Sequence, residues 1–501
     1  MAVEQDERTE TAAHHDAQSR RWRSLFRIHF YSGILSMPFI VFMALTGLVI
    51  LYTQPLQDLT QKDLRVVSVG SKVVPYDEQA HAVEVAFPKA TLTSMTVGTD
   101  EKHSTIFGID DGSASGRDVF VDPYTGEVLG SVNAGAGIVR LSNRLHGYLN
   151  IDWSFKLPTV SALWDGGAVM RDYVIGDFVL EVLGVWTLVL VATGAYIYWP
   201  RRSAVGSERN RRGFLRVRWS KGGRARWRDL HGLAGILLLA GMVLTIISGL
   251  AWSTYWGPNF TALANEISPN SWTDAPASSL GTRGDLDRLG NTIPWNTGDR
   301  PIPASYATKD DGTQPAPLSL DDVVLVAARE HMKPGYTVNF PTNETDAKMK
   351  DTTYGSFTMS NSWPRKTGEA RDVFLDQFSG KTLGQQDAYG YGTVSYGLDT
   401  LVSTHMGTQL GLFSRILMTS VCLLALWSVI SAIVMYAKRR RKGTLGLPRR
   451  PADVRLGWGL WVIVGLLCVV FPQWGVSALA ILAFDHFVIQ RTRLRSAFGQ
   501  R

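Results

Sequence analysis

The chain has 501 residues, 45% of them apolar, and its 51 Lys and Arg against 44 Asp and Glu give a formal net charge of +7. A mean hydropathy of zero averages long uncharged apolar runs with stretches as polar as a secreted domain. This excludes an ordinary cytosolic enzyme, a disordered chain and, despite the basic balance, a nucleic-acid-binding protein. The two cysteines, Cys422 and Cys468, both lie in apolar runs, so no disulfide framework holds the polar parts together.

Six apolar runs predict helices that cross a membrane. The first four have the roughly 20 residues that a spanning helix needs. The last two are shorter and are separated only by Pro472 and Gln473, which predicts a tight hairpin of two short spans. The runs lie at Ile28–Tyr52, Gly176–Trp199, Gly232–Trp256, Thr408–Tyr436, Leu456–Phe471 and Trp474–Gln490.

Basic residues beside these runs predict the orientation. Residues 201–228, between the second and third spans, hold eleven Arg or Lys against the single Glu208, and the positive-inside rule places such segments in the cytoplasm. We therefore predict a multi-pass protein of a bacterial inner membrane with both termini cytoplasmic. Its cytoplasmic segments are the tail 1–27, the loops 200–231 and 437–455, and the tail 491–501; its spans are 28–52, 176–199, 232–256, 408–436 and the hairpin 456–490; its periplasmic segments are 53–175 and 257–407.

The two predicted periplasmic segments share a sequence repeat. Residues 117–130, RDVFVDPYTGEVLG, recur as residues 371–384, RDVFLDQFSGKTLG, at a spacing of 254. The alternating apolar positions around a Gly-bearing turn predict strand, turn, strand in each copy. A helical stretch precedes each copy, at about 76–87 and 319–332, and Ser319 is the predicted N-cap of the second. Each periplasmic module is thus predicted to be one helix followed by a small antiparallel sheet.

The flanking spans repeat as well. His29, Gly33 and Gly47 in the first span match His231, Gly235 and Gly249 in the third at one spacing, 202. The difference between 254 and 202 predicts an insertion of about 52 residues, which fits the polar stretch 257–317. We therefore predict an internal duplication, two copies of span, module and span, followed by the terminal hairpin.

Four histidines are the predicted site. His29 and His231 lie near the cytoplasmic starts of their spans, whereas His146 and His405 each lie between a module and the span that follows it. A two-fold axis along the membrane normal would place each pair face to face. Two neutral imidazoles on opposite sides of a flat macrocycle are the ligands of a b-type haem that carries electrons and leaves no position open for oxygen.

The matched glycines support this prediction. Gly33 and Gly235 follow their histidines by four residues, and Gly47 and Gly249 by 18, which is five helical turns. All four would stand on the histidine's face and leave room for a porphyrin, the second pair about one membrane thickness from the first. The alternative for each residue alone is structural, because interfacial histidines form hydrogen bonds and glycines in spans serve helix packing.

Other candidates surround these histidines. Arg27, Arg144, Arg228 and Arg415 lie near enough in sequence to pair with haem propionates, although anchoring in the cytoplasm explains Arg27 and Arg228 equally well. An aromatic run that includes Tyr389, Tyr391 and Tyr396 precedes His405 and could line a surface for a substrate, or belong to an interfacial aromatic belt. His486 has no repeat partner and is predicted to be structural.

These motifs resemble the PepSY-associated transmembrane helix family. The resemblance rests on the two helix-plus-sheet modules ending in Asp-x-x-Ser/Thr-Gly, on Leu145-His146 and on the span ending at 198–202, YWPRR. It covers about residues 20–440, and it implies a helical membrane bundle with two PepSY-like α+β periplasmic modules. It further implies that the protein is a reductase of ferrisiderophores. By the resemblance, His29, His231, His146 and His405 would bind two stacked haems, and these would carry electrons from the cytoplasmic side to a periplasmic ferric chelate.

No nucleotide-binding fingerprint occurs in the sequence, so electrons would come from a quinol or a separate cytoplasmic reductase. Two other classes stay open. One is a transporter of siderophore or metal, against which the spans offer few polar residues apart from Glu181. The other is a regulatory scaffold that restrains a peptidase, as the resemblance to free-standing PepSY domains would allow; the paired histidines speak against it.

Overall fold

The structure is a computed structural model. It describes residues 2–158, 170–199, 216–220, 223–253, 255–272, 278–286, 297–298, 300–306, 315–346, 351–361, 365–440, 458–489 and 491. Much of the predicted insertion at 257–317 and most of the two basic loops at 200–231 and 437–455 lie outside the described residues.

Thirteen α-helices occur among the described residues. They are α1 (Ala2–Leu51), α2 (Thr53–Thr60), α3 (Lys62–Arg65), α4 (Tyr76–Ala86), α5 (Gly137–Tyr148), α6 (Ile175–Tyr198), α7 (Gly223–Leu250), α8 (Trp256–Ile267), α9 (Leu320–Arg329), α10 (Thr393–His405), α11 (Leu412–Arg439), α12 (Trp458–Val470) and α13 (Pro472–Phe484).

Twelve strands lie in the same described parts of the chain. They are β1 (Thr91–Thr96), β2 (Thr105–Asp110), β3 (Arg117–Val121), β4 (Val128–Asn133), β5 (Ser154–Pro158), β6 (Met170–Val174), β7 (Tyr336–Asn339), β8 (Glu344–Asp346), β9 (Asp351–Thr353), β10 (Ser356–Asn361), β11 (Arg371–Asp376) and β12 (Thr382–Asp387).

The chain divides into two compact units. The first contains residues 1–45, 175–250 and 419–501, and the second contains residues 46–174 and 251–418. Within the described residues, four helical segments are long and apolar enough to cross a membrane: Arg21–Leu51, Ile175–Tyr198, Gly223–Leu250 and Leu412–Arg439. These match the first four predicted spans.

The predicted terminal hairpin forms two shorter helices. Helices α12 and α13 have 13 residues each, and at 1.5 Å per residue each is roughly 20 Å long. A five-residue π-helical turn, Asp485–Ile489, extends α13. Each helix alone is shorter than the hydrocarbon core of a typical bilayer, about 30 Å.

The strands of the two predicted modules form one antiparallel sheet. Among the described residues its order is β12-β11-β10-β7-β1-β2-β3-β4, so the repeated strand pairs β3–β4 and β11–β12 lie at opposite edges. Strands β1 and β7 join the halves through the pairs Ser94–Asn339, Met95–Val338 and Thr96–Thr337. The sequence predicted two separate small sheets; pairing β1 with β7 instead satisfies two edges that would otherwise be open to unwanted association.

Helices α4 and α9 pack on this sheet and cap each other. Asp321 accepts hydrogen bonds from the backbone amides of Tyr76 (3.0 Å) and Asp77 (3.2 Å), and Asp77 accepts one from the amide of Leu320 (2.9 Å). Each carboxylate thus satisfies amides at the other helix's N-terminus. Ser319 Oγ accepts from the Asp322 amide at 3.0 Å, which confirms the predicted N-cap. The core beneath includes Val83, Met95, Phe107, Val119, Val323, Val338, Met359 and Val373.

A buried polar network ties part of the predicted insertion to the sheet. Arg283, with 2% of its surface exposed, pairs with Asp372 of β11 and donates to Thr297 Oγ1 at 3.0 Å. Asp372 is the residue that the sequence repeat matches with Asp118. The described part of the insertion therefore supplies a charge partner for a repeated position of the sheet.

Removing the charge of Arg283 should destabilise the second unit. In the Arg283→Met variant Asp372 loses its paired cation while still buried, and breaking such a pair costs about 3–5 kcal/mol in the free energy of unfolding. The control is Lys333→Met, which removes a half-exposed partner of Glu369 and should cost less than about 1 kcal/mol. Chemical denaturation of the purified chain measures both; equal losses would contradict the assignment.

Candidate functional site

The first predicted histidine pair meets inside the first unit. His29 on α1 and His231 on α7 have ring centroids 6.4 Å apart, with ring planes at 75°. The Nδ1 atom of each histidine lies within hydrogen-bonding distance of a carbonyl oxygen and a hydroxyl group of a neighbouring helix. His29 Nδ1 lies 3.0 Å from the Leu190 carbonyl oxygen and 3.3 Å from Thr193 Oγ1 of α6. His231 Nδ1 lies 3.1 Å from the Ser428 carbonyl oxygen and 2.9 Å from Ser431 Oγ of α11.

These contacts set the protonation state of both rings. A backbone carbonyl can only accept a hydrogen bond, so Nδ1 carries the proton and donates in each histidine. Nε2 then keeps its lone pair, which is the form of imidazole that binds a metal. In metal sites, histidine rings are commonly oriented in this way, because the nitrogen that does not bind the metal donates its proton to a backbone carbonyl.

The second predicted pair meets inside the second unit. His146 lies in the last turn of α5 and His405 is the last residue of α10; their ring centroids are 6.2 Å apart, with ring planes at 65°. His146 Nδ1 lies 2.9 Å from Thr46 Oγ1. Burial, followed by the neighbouring His405 ring, lowers the pKa of His146 to about 3, and burial lowers the pKa of His405 to about 4. Both rings are therefore neutral at physiological pH.

The spacing of each pair fits an iron atom between the rings. A metal–nitrogen bond of about 2 Å and about 1.1 Å from that nitrogen to the ring centre place the centroids of two opposed imidazoles roughly 6.2 Å apart. The observed separations are 6.4 and 6.2 Å. Nowhere in the described ranges do three or more His, Cys, Asp or Glu side chains cluster to hold an ion.

Space beside the predicted glycines also suits a flat group. A Cβ added to Gly235 or Gly249 would meet no atom of the described residues within 4 Å, whereas one added to Gly33 would make an ordinary contact with Leu190 at 3.5 Å. Gly47 is half-buried on α1. Gly235 and Gly249 are exposed, so the space at these two positions is equally open to lipid.

The four predicted arginines differ in their partners. Arg27 lies 4.0 Å from Asp485, and Arg228 lies 3.4 Å from Asp229. Arg144, two residues before His146, donates from Nη1 to the Gly135 carbonyl at 3.0 Å. Its Nε is buried with no hydrogen-bond partner among the described residues, so an anionic group beside His146 would satisfy it. Arg415 lies over the Tyr52 ring, 6.0 Å from its centroid.

The three predicted tyrosines differ in their exposure to solvent: two lie at the surface and one is buried. Tyr389 is 92% exposed and Tyr396 is 41% exposed, while Tyr391 is only 8% exposed. The Tyr391 ring packs against Trp272, with centroids 4.9 Å apart, and its hydroxyl accepts a hydrogen bond from Arg365 at 3.3 Å. Tyr389 and Tyr396 are therefore the two of this set that a large external ligand can reach.

Sequence reasoning missed the residues behind the first pair. Thr193 and Ser431 both place a hydroxyl on a histidine Nδ1, and they are 238 residues apart, the same spacing as Tyr198 and Tyr436. Aligning the second span with the fourth at this spacing would have found them. Gly194 was also missed: a Cβ there would lie 2.9 Å from His29 Cε1, so glycine lets α6 approach the ring.

The four long apolar helices define a multi-pass helical membrane protein. The chain belongs to the family of the PepSY-associated transmembrane region, whose model matches residues 26–439. The resemblance predicted from the sequence is thereby confirmed, and the terminal hairpin lies outside the matched region. No curated protein matches the chain.

Proposed function

We propose that the chain binds two b-type haems and is a transmembrane reductase of ferric chelates. The observation that carries the proposal is the spacing of two separate histidine pairs, 6.4 and 6.2 Å between ring centroids, each of which suits one iron between two imidazoles. A haem with both axial positions filled supplies one-electron transfer without binding oxygen.

The protein's own residues have three tasks in this proposal. The Leu190 and Ser428 carbonyls accept from Nδ1 of His29 and His231 and so hold each ring in place, which would leave the Nε2 lone pair free to bind the iron of a haem. Thr46 holds the His146 ring in the second unit. Arg144, whose buried Nε has no partner within the described parts of the chain, would take a propionate.

The proposed substrate is a ferric siderophore or a similar chelate on the periplasmic side. The oxygen ligands of such chelators hold iron(III) far more strongly than iron(II), because the attraction falls with the charge of the ion. One electron therefore releases iron(II) and leaves the chelator intact. The exposed Tyr389 and Tyr396 are the proposed contacts for the chelate.

A direct test uses the purified full chain loaded with haem and reduced by dithionite. Mixed anaerobically with ferric hydroxamates and other ferric siderophores, it should show reoxidation of the haem absorption while a colorimetric chelator traps iron(II). Reoxidation by no member of a broad panel, or a folded preparation that binds no haem, would overturn the proposal.

A further inference from the structure

The terminal hairpin contacts α6 through polar groups at membrane depth. Glu181, only 2% exposed, lies six residues after the first residue of α6, and Gln473 Nε2 at the start of α13 donates to Glu181 Oε2 at 2.9 Å. Trp186 Nε1 of α6 donates to Ser477 Oγ of α13 at 3.0 Å. A carboxyl group buried within a spanning helix is costly to keep there and commonly marks a functional site.

Two more buried polar atoms at the start of α13 have no hydrogen-bond partner among the described residues. Gln473 and Trp474 are 7% and 4% exposed, and within the described residues neither Gln473 Oε1 nor Trp474 Nε1 has a hydrogen bond. One is an acceptor and the other a donor. Since lipid provides no hydrogen bonds, a buried pair of this kind calls for a ligand that can both donate and accept.

A single hydroxyl group meets that requirement. Its O–H can donate to an amide oxygen such as Gln473 Oε1, and its oxygen can accept from an indole N–H such as that of Trp474. The Glu181 carboxyl group contacts the same Gln473 side chain, whose Nε2 donates to Glu181 Oε2 at 2.9 Å. The surroundings are apolar: the Trp186 and Trp474 rings lie 5.3 Å apart, and the exposed side chains of α13 include Val476, Leu479 and Leu482. The ligand is therefore a hydroxylated ring that travels in lipid.

We propose that Glu181, Gln473 and Trp474 bind the head group of a membrane quinol, which is the electron donor. This inference rests on the proposed reductase function. Each quinol is oxidised to quinone, loses two electrons that reduce two ferric chelates to the iron(II) state, and releases two protons. Glu181 accepts these protons in turn and passes them to water. The terminal hairpin, absent from the part of the chain that the family model matches, supplies two of the three groups.

The test measures binding as well as turnover. The full chain in lipid nanodiscs is labelled with a photoreactive azido-quinone, and decyl-ubiquinone is added as competitor. Labels protected by the competitor should map to Ile175–Tyr198 and Trp458–Phe484. Trp474→Phe, which keeps an aromatic ring but removes the N–H, and Gln473→Met should weaken protected labelling about tenfold, whereas Trp461→Phe should change it less than about twofold.

The Trp461→Phe control makes the same substitution at a tryptophan of α12 that is 62% exposed, so it changes the hairpin without touching the unpaired groups. Equal losses in Trp461→Phe and Trp474→Phe, or labelling that decyl-ubiquinone does not protect, would overturn the quinol site. Dithionite-driven reduction of ferric chelate by the wild-type chain separates the two proposals. If the wild type reduces chelate with dithionite but binds no quinone, only the quinol site fails; if it binds quinone but never reduces chelate, the reductase proposal fails.

Discussion

Replacing either His29 or His231 with alanine should lower the bound haem from about two to about one per chain. The centroids of the two rings lie 6.4 Å apart, so each variant would remove one of the two imidazoles proposed to hold one haem, while the pair formed by His146 and His405 stays intact. Pyridine haemochrome analysis gives the haem content, and the reduced-minus-oxidised absorption spectrum shows whether the remaining haem is still low-spin with two axial ligands.

The matched control for these variants is His486→Ala. His486 lies in the same unit, in the π-helical turn after α13, and its ring packs against Phe487 with centroids 4.9 Å apart. We expect this variant to keep both haems. If the His29 and His231 variants also keep both, those residues are not the ligands; if His486→Ala loses one, the sequence repeat has selected the wrong histidines.

The sequence sufficed to predict both histidine pairs because the repeat constrains distant residues together. A single histidine in an apolar run carries little information. The match of His29, Gly33 and Gly47 with His231, Gly235 and Gly249 at one spacing links two helices, and equivalent residues of a duplicated bundle lie close together when they are near its two-fold axis. The observed separations of 6.4 and 6.2 Å are the contacts that this reasoning predicts.

The sheet could not be predicted from the same repeat. Each module carries a complete pattern of strand, turn and strand, and nothing within one copy indicates that β1 will pair with β7. That pairing requires the edge strands of the two modules to meet in space. Whether they meet is determined by the tertiary structure and not by the sequence of either module. The exchanged caps of Asp77 and Asp321 have the same origin, since each carboxylate serves a helix more than 240 residues away in the chain.

The residues that separate His146 from the second span leave the position of its helix, α5, unchanged. Some 30 residues separate His146 from the second span, whereas His405 lies directly before the fourth. The structure places part of this stretch in strands β5 and β6, which pair from Ser154–Val174 to Pro158–Met170. A hairpin leaves and returns at nearly the same place, so it lengthens the chain without displacing α5. The segment 159–169 between these strands, which includes Trp164, lies outside the described residues.

The hydroxyls behind the histidines were missed for a different reason. Thr193 and Ser431 are ordinary residues in spanning helices, where such side chains commonly bond to the carbonyl four residues earlier, as Thr193 does with Val189 at 2.7 Å. Their role follows only from the direction of the facing ring. The carbonyls of Leu190 and Ser428 leave no trace in the sequence at all, since every residue has one.

Replacing His405 or His146 with alanine should abolish the release of iron(II) from a ferric chelate and remove one haem. The two rings lie 6.2 Å apart in the second unit, which also contains the exposed Tyr389, so the proposed role of this pair is delivery of electrons to the substrate. Because one haem is proposed to be held by both imidazoles, the two variants should lose the same haem and fall to the iron(II) release of a haem-free preparation. Anaerobic mixing of the dithionite-reduced chain with a ferric hydroxamate measures this, with iron(II) trapped as a coloured complex.

The control comes from the same unit. His103 contacts Asp100 Oδ1 at 2.7 Å and Asp58 Oδ2 at 3.4 Å, so both of its ring nitrogens contact carboxylates. His103→Ala should therefore keep both haems and the wild-type rate of iron(II) release. A His405→Ala variant that still releases iron(II) at the wild-type rate would show that electrons reach the chelate by another route. An effect of His405→Ala without one of His146→Ala would mean that a different group opposes His405 at the iron, because two imidazoles that share one metal must fail together.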